Sequence, residues 1–126
     1  MSTALKLKPA QESIEESPIM DNPQVRALIN SVLANGLDFN GLERELFKIL
    51  RDLFTNMLTV MLEKIDDRLM YSLARQGWKV HDNHEKTVVS SLGLITFNRR
   101  YYKKLMSTGE YVYGHLLDSI LGLDKF

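Results

Sequence analysis

The sequence predicts an α+β fold, in which a short helix and a long amphipathic helix pack on a small antiparallel β-meander and a short helix follows. Three observations carry this. From Leu42 to Arg75 neither proline nor glycine interrupts an apolar pattern that repeats at three- and four-residue steps. Trp78 to Ser91 and Leu94 to Lys104 are then rich in β-branched and aromatic residues. Glycines at positions 36, 77, 93, 109 and 122 punctuate the segments. The chain accordingly reads as an arm (1–22), a helical region (23–76) and a β-ribbon region with a terminal helix (77–126).

Met1 to Asn22 mixes Lys, Gln, Glu, Ser and Pro with little periodic apolar content. Such a segment buries too little to offset its ordering entropy, so a disordered arm is expected. Pro23 suits the first turn of a short helix, with Asp21 or Asn22 as its cap. Val25, Leu28, Ile29, Val32 and Leu33 give that helix one apolar stripe, and Asn35-Gly36 ends it. In the long helix Asn40 is the expected cap, with Glu43 completing a capping-box-like pair. Leu46, Leu50, Leu53, Met57, Met61, Ile65, Leu69 and Leu73 form its stripe, which Phe47, Phe54, Leu58 and Leu62 widen. Gly77 stops it. A helix of this length spans about 50 Å, more than the width of a small domain. Its far end therefore meets a partner, either the remainder of a larger protein or a second copy as in a homo-oligomer, or the helix breaks near Thr55-Asn56 and folds back.

Beyond Gly77, a two-residue turn at Leu92-Gly93 would set Val88 opposite Phe97 and Val89 opposite Thr96. Alternation then places Val88, Ile95, Phe97 and Tyr101 on the side that packs on the long helix. Thr87, Thr96, Asn98, Arg100 and Tyr102 line the other side. Ser107 to Gly109 makes a second turn, Glu110 to Tyr113 pairs back, and Leu116 to Leu121 forms a helix stopped by Gly122.

Composition bounds the function. The chain has 126 residues, 44% apolar and 25% charged, as in an ordinary soluble domain. Roughly two thirds of the unfolded surface can be buried at this size, so a modest core is possible. Sixteen basic residues balance sixteen acidic ones, but unevenly. Met1 to Ala74 holds eleven acids and eight bases, Arg75 to Lys104 seven bases and two acids, and the remainder is acidic again. The absence of cysteine excludes disulfides, thiolate catalysis and cysteine-containing zinc sites. No apolar segment follows Lys6 and Lys8 to make a secretory signal. The uncharged stretch Leu53–Leu62 is too short to span a bilayer. A cytoplasmic address, with no membrane partner, is expected.

The patch with a partner-binding logic is Lys86, Arg99, Arg100, Lys103 and Lys104 interleaved with Tyr101 and Tyr102. Arg and Lys neutralise phosphates with counterion release, and Tyr102 would stack on a base or bond to phosphate. A two-stranded ribbon also fits the major groove of DNA. The competing reading is a strand face whose charges only discourage edge pairing. His81, Asp82 and His84 lack a third histidine and read as solvated loop residues rather than a metal site. Asp66 and Asp67 are adjacent, point to different helix faces and make no carboxylate pair. Asp118 reads as a cap or salt-bridge partner, Trp78 as core, and the methionines as gap-filling core. No glycine-rich phosphate loop is present, and Ser90-Ser91 has no identifiable base. The chain is thus expected to be no enzyme, to hold no cofactor and to take no small-molecule substrate.

The string Gly77-Trp78-Lys79-Val80, then Thr87 through Tyr102 with its Leu92-Gly93 and Arg99-Arg100-Tyr101-Tyr102, resembles the N-terminal region of the ISLre group of bacterial insertion-sequence transposases. These proteins also carry an uncharacterised-protein-family label. The resemblance continues through Thr108-Gly109-Glu110-Tyr111-Val112-Tyr113 and Leu116-Leu117-Asp118 to Leu121-Gly122-Leu123, and covers the chain from about Leu42 onward. It departs at Gly114-His115, where the family's Tyr would run on directly into Leu-Leu-Asp. The resemblance implies a fragment of a longer protein whose acidic residues hold divalent metal ions on a ribonuclease-H-like core. That core would follow Phe126, so no catalytic residue is carried over. What remains is a DNA-binding or assembly module, with self-association or a decayed element's remnant as the alternatives.

Overall fold

The structure, a computed structural model, describes residues 18–125. Most of the expected arm lies outside the described residues. Its final part is ordered as a 3-10 turn, Pro18–Asp21. Asn22 then caps α1 (Pro23–Asn35), its side-chain oxygen accepting from the N–H groups of Gln24 at 2.8 Å and Val25 at 3.2 Å. Gly36, at φ 65°, closes the helix in the left-handed region that a side chain disfavours.

Helix α2 runs unbroken from Phe39 to Arg75, without the fold-back considered near Thr55-Asn56. Its cap is Asp38 rather than Asn40. The Asp38 carboxylate accepts the Gly41 N–H at 2.8 Å, and its carbonyl accepts the Leu42 N–H at 2.8 Å. Asn40 already lies inside the first turn, where its side chain cannot reach the orphan donors that define a cap.

The chain forms two compact units, one up to Asp52 and the other from Leu53. In the first, α1 and the start of α2 enclose a groove between Leu28 and Ile49, with Leu28 buried. The second unit holds the rest of α2, the sheet and the last helix.

The sheet is an antiparallel meander in the order β1 (Trp78–Ser90), β2 (Gly93–Leu105), β3 (Tyr111–Gly114). The first turn is Ser91-Leu92, not Leu92-Gly93. Ser90 pairs with Gly93, which sets Val88 opposite Ile95 and Val89 opposite Leu94. Gly93 joins the ladder at φ 137°, and the Ser90 hydroxyl donates to its carbonyl. The register therefore differs by two residues from the expected one. Because strand side chains alternate with period two, a two-residue slip keeps Val88, Ile95 and Phe97 on the expected buried face, whereas Tyr102, expected on the other side, is buried as well.

The core follows that face. Leu62 of α2, Val88, Ile95, Phe97 and Leu117 form one buried cluster, with Leu58, Leu69 and Leu123 packed against it. On the other face Thr87 and Thr96 are exposed, and their hydroxyls bond across the strands at 2.8 Å. A β-bulge interrupts β1 between Val80 and Asp82, so that Val80 pairs with Tyr102 and Asp82 with Tyr101, leaving His81 over. Glu110 and Gly109 close the second turn through Met106, whose N–H donates to the Glu110 carbonyl at 2.8 Å. Helix α3 (Leu116–Leu121) ends at Gly122, φ 71°. The α+β class and the sequence of elements agree with expectation. Among the described residues, no helix is long and apolar enough to cross a membrane.

Candidate nucleic-acid interface

The basic residues singled out in the sequence divide into two sets. Arg99 is buried on β2, on the same face as Phe97. Its Nε and Nη2 donate to the two Asp118 oxygens, each at 3.1 Å, and its Nη1 donates to the carbonyls of His84 at 3.1 Å and Glu85 at 2.8 Å. Lys86 reaches the same carboxylate at 3.3 Å. Burial pushes the Asp118 carboxyl up, but the hydrogen bonds and charges of Arg99, then Lys86, outweigh it and hold the group below the usual carboxylate range. Asp118 stands in the first turn of α3, so this cluster fastens that helix to β1 and β2.

Arg100 faces the opposite way and fastens α2. Its Nη1 donates to Asp66 and Asp67, each at 2.9 Å. Although adjacent on the helix, the two carboxylates converge on one guanidinium, contrary to the expectation that they point apart. Asp66 also accepts the Arg100 backbone N–H at 3.2 Å, and Glu63 accepts that of Asn98 at 2.8 Å. These amides lie where β2 pairs with β1 alone, because β3 begins only opposite Leu105 to Tyr102. Helix carboxylates thus cap an otherwise open strand edge. Burial pushes the Asp66 carboxyl up against the opposing pull of Arg100.

Tyr102 is 1% exposed, and its hydroxyl has no partner among the described residues. Burial, reinforced by the Asp66 charge, pushes it up to about 12. A ring so enclosed cannot stack on a base. Arg99 and Tyr102 are thus buried, and Lys86 and Arg100, partly buried, are engaged by carboxylates of the packed helices. Pairing partners far away in the chain claim the three cations, and such partners leave no local trace in the sequence.

Lys103 and Lys104 belong to the other set. They lie over aromatic rings, Lys103 at 5.2 Å from the Tyr111 centroid and Lys104 at 5.7 Å from that of Trp78. Among the described residues neither makes an ion pair. Register adds Lys79 opposite Lys103, and Tyr113 on its other side. Around them stands an aromatic cluster that the sequence reading missed. Tyr101 and Tyr113 stack with centroids 5.7 Å apart and planes 18° apart, and His81 meets the Tyr113 edge at 5.3 Å. Tyr111 continues the row at 6.4 Å from Tyr113. Tyr111, Tyr113 and His81 are exposed. The signal that could have found this cluster is the pairing of β3 with β2, combined with the bulge that re-aims His81.

Behind Tyr101 lies a polar chain. His84 Nε2 is 3.2 Å from Asp82 Oδ2, and His84 Nδ1 is 2.9 Å from His115 Nε2. His115 sits at the departure from the family string noted above. Burial, then the Arg99 charge, holds its imidazole below the usual value. Asp82 and His84 lie in the paired part of β1, not in the loop expected for them. Among the described residues no group of three or more His, Asp or Glu side chains is arranged to hold a metal ion.

Comparison with known proteins fits the middle and end of the chain. A family model described as an uncharacterised protein family, UPF0236, matches residues 32–126. The chain belongs to UPF0236. A curated relative, described as a UPF0236 protein in the vanSb 3' region of Streptococcus gallolyticus, is 28% identical over 96 residues. That match covers 76% of this chain and 20% of the relative, so the chain spans about a fifth of that protein's length. No solved structure matches the chain. The UPF0236 match includes all of α2, the sheet and α3.

Proposed function

We propose that this UPF0236 chain is the N-terminal, non-catalytic part of an insertion-sequence transposase, and that the outer end of its sheet contacts DNA. The observation that carries the reading is the row of exposed Tyr111, Tyr113 and His81 with half-buried Tyr101 beside Lys79 and Lys103, while Lys104 lies over Trp78 on the opposite face. Stacked rings offer a face to unpaired bases whatever their identity, and unpaired lysines alongside can follow the phosphates. The ISLre-like string of residues supports the transposase assignment. Metal-dependent strand transfer would reside in a separate acidic core, and the cytoplasm would be the working compartment.

The test is anisotropy of labelled single- and double-stranded oligonucleotides over a range of salt. Lys103→Ala with Lys104→Ala should weaken binding and flatten the logarithmic salt dependence by about 0.7–0.9 per lost phosphate contact. A slope equal to that of the unsubstituted protein would remove the lysines from the interface. Arg99→Ala and Arg100→Ala are unsuitable probes, since both side chains hold helices to the sheet.

A second reading, self-association through α2, has its own observation. Leu53, Phe54, Met57, Val60, Met61 and Ile65 are between 37% and 62% exposed, a run of large apolar side chains that a soluble monomer rarely leaves bare. Sedimentation without DNA separates the two. A concentration-dependent dimer that ignores oligonucleotides favours this reading.

A further inference from the structure

Two asparagines of the chain precede glycine, in Asn35-Gly36 and Asn40-Gly41. In such a pair the glycine amide nitrogen can close on the asparagine side-chain carbonyl, because glycine has no Cβ in the way and reaches backbone angles that other residues avoid. Both asparagines are exposed, so access to water does not separate them. The backbone around them does.

Asn40 and Gly41 lie in the first turn of α2. Gly41 is buried, and its N–H donates to the Asp38 carboxylate at 2.8 Å. A Cβ at Gly41 would stand 2.5 Å from the Leu37 side chain, so the turn leaves its backbone little room to move. Ring closure there requires the N–H to leave its acceptor and the turn to open. Asn35, by contrast, is the last residue of α1. Gly36 beyond it is in the left-handed region at φ 65°, and a Cβ there would meet nothing within 4 Å. A helix end of this kind frays at low cost.

We propose that Asn35 is a site of spontaneous deamidation, and that Asp38 protects Asn40 from the same reaction. The Gly36 amide nitrogen bonds to Asn35 Cγ, the Cγ–Nδ2 bond breaks, and the side-chain nitrogen leaves as ammonia with the proton that Gly36 gives up. Water then opens the resulting succinimide at one carbonyl or the other, leaving aspartate or isoaspartate. Either product puts a carboxylate at the C-terminus of α1, where the helix dipole opposes it. That carboxylate also shares the groove between α1 and α2 with Glu45. The isoaspartyl form adds a methylene to the backbone at the start of the short link, Gly36 to Asp38, between the two helices. The modification therefore loosens α1 from the start of α2 within the first compact unit. It stands independently of the DNA-contact reading.

The test incubates the chain for days in mildly alkaline buffer at physiological temperature and maps its peptides by mass spectrometry. Conversion at Asn35 is expected to run about tenfold faster than at Asn40, since freeing the Gly41 N–H breaks a hydrogen bond to a charged group. The Asn35 product should separate into aspartyl and isoaspartyl peptides. In denaturant the two rates should converge, because both sites carry the same dipeptide. Asp38→Ala should raise the Asn40 rate toward that of Asn35. Equal rates in the native chain, or faster conversion at Asn40, overturn the proposal. So does an Asn40 rate that Asp38→Ala leaves unaltered.

Discussion

Two stretches of the same strand, one residue pair apart, carry the same kinds of side chain and do different work. At Arg99-Arg100 the cations are enclosed, each guanidinium matched to carboxylates of a packed helix. At Lys103-Lys104 they rest over aromatic rings and keep their charge at the surface. The difference is set by what lies across from each. Asp118, Asp66 and Asp67 face the arginines, whereas Tyr111 and Trp78 face the lysines. Arginine suits the enclosed positions because its fork bonds two oxygens at once, while lysine stays hydrated at the rim. A basic patch in a sequence is thus two questions, how much charge and how much of it is already paired.

Breaking the enclosed half should cost most. Arg99→Ala leaves the buried Asp118 with Lys86 as its remaining ion-pair partner and is expected to destabilise the protein by up to about 3–5 kcal/mol, read as a large fall in the denaturation midpoint. Arg99→Lys should rescue little of it, because the bidentate geometry is lost. A midpoint within error of the parent would mean that the ion pair does not fasten α3.

Acid should sharpen the same contrast. The Asp118 carboxyl is held below its ordinary value of 3.8 in the folded protein. Its contribution is therefore full above that value and is lost as the pH falls through the lower folded-state value. Asp66 is shifted up and has the opposite sign, stability falling as it ionises. Asp118→Asn should lower stability at neutral pH and flatten the acid side of the stability profile. An acid limb as steep as the parent's would contradict the assignment.

Smaller effects test the rim and the buried tyrosine. Lys103→Ala with Lys104→Ala should leave thermal melting nearly unchanged while weakening oligonucleotide binding, the reverse of the arginine variants. Tyr102→Phe removes a buried hydroxyl with no partner among the described residues. It should leave stability equal or raise it by up to about 1 kcal/mol, measured by chemical denaturation. A loss larger than that would reveal a hydrogen bond for the hydroxyl.

The fold was legible where local chemistry decides it. Asn22, Pro23 and Gly36 bracket α1, and Gly122 ends α3, as the capping rules require. The capping of α2 by Asp38 was misplaced by two positions because Asn40 offers the same side-chain chemistry. The hairpin register was off by two, and the core face survived because the strand period is two. The interface was harder to read. Whether Arg99 faces Asp118, or Tyr101 stacks on Tyr113, depends on tertiary pairing and on the bulge at His81. None of these leaves a mark within a few residues of the side chains concerned.

The central claim is that the exposed aromatic row, not the arginine pair, meets nucleic acid. It is tested most directly by the affinity of Tyr113→Ala for a labelled single-stranded oligonucleotide at low salt. Loss of one stacking ring should weaken binding by about 1–3 kcal/mol, with thermal melting little changed. Unaltered affinity in a folded Tyr113→Ala protein would contradict the account.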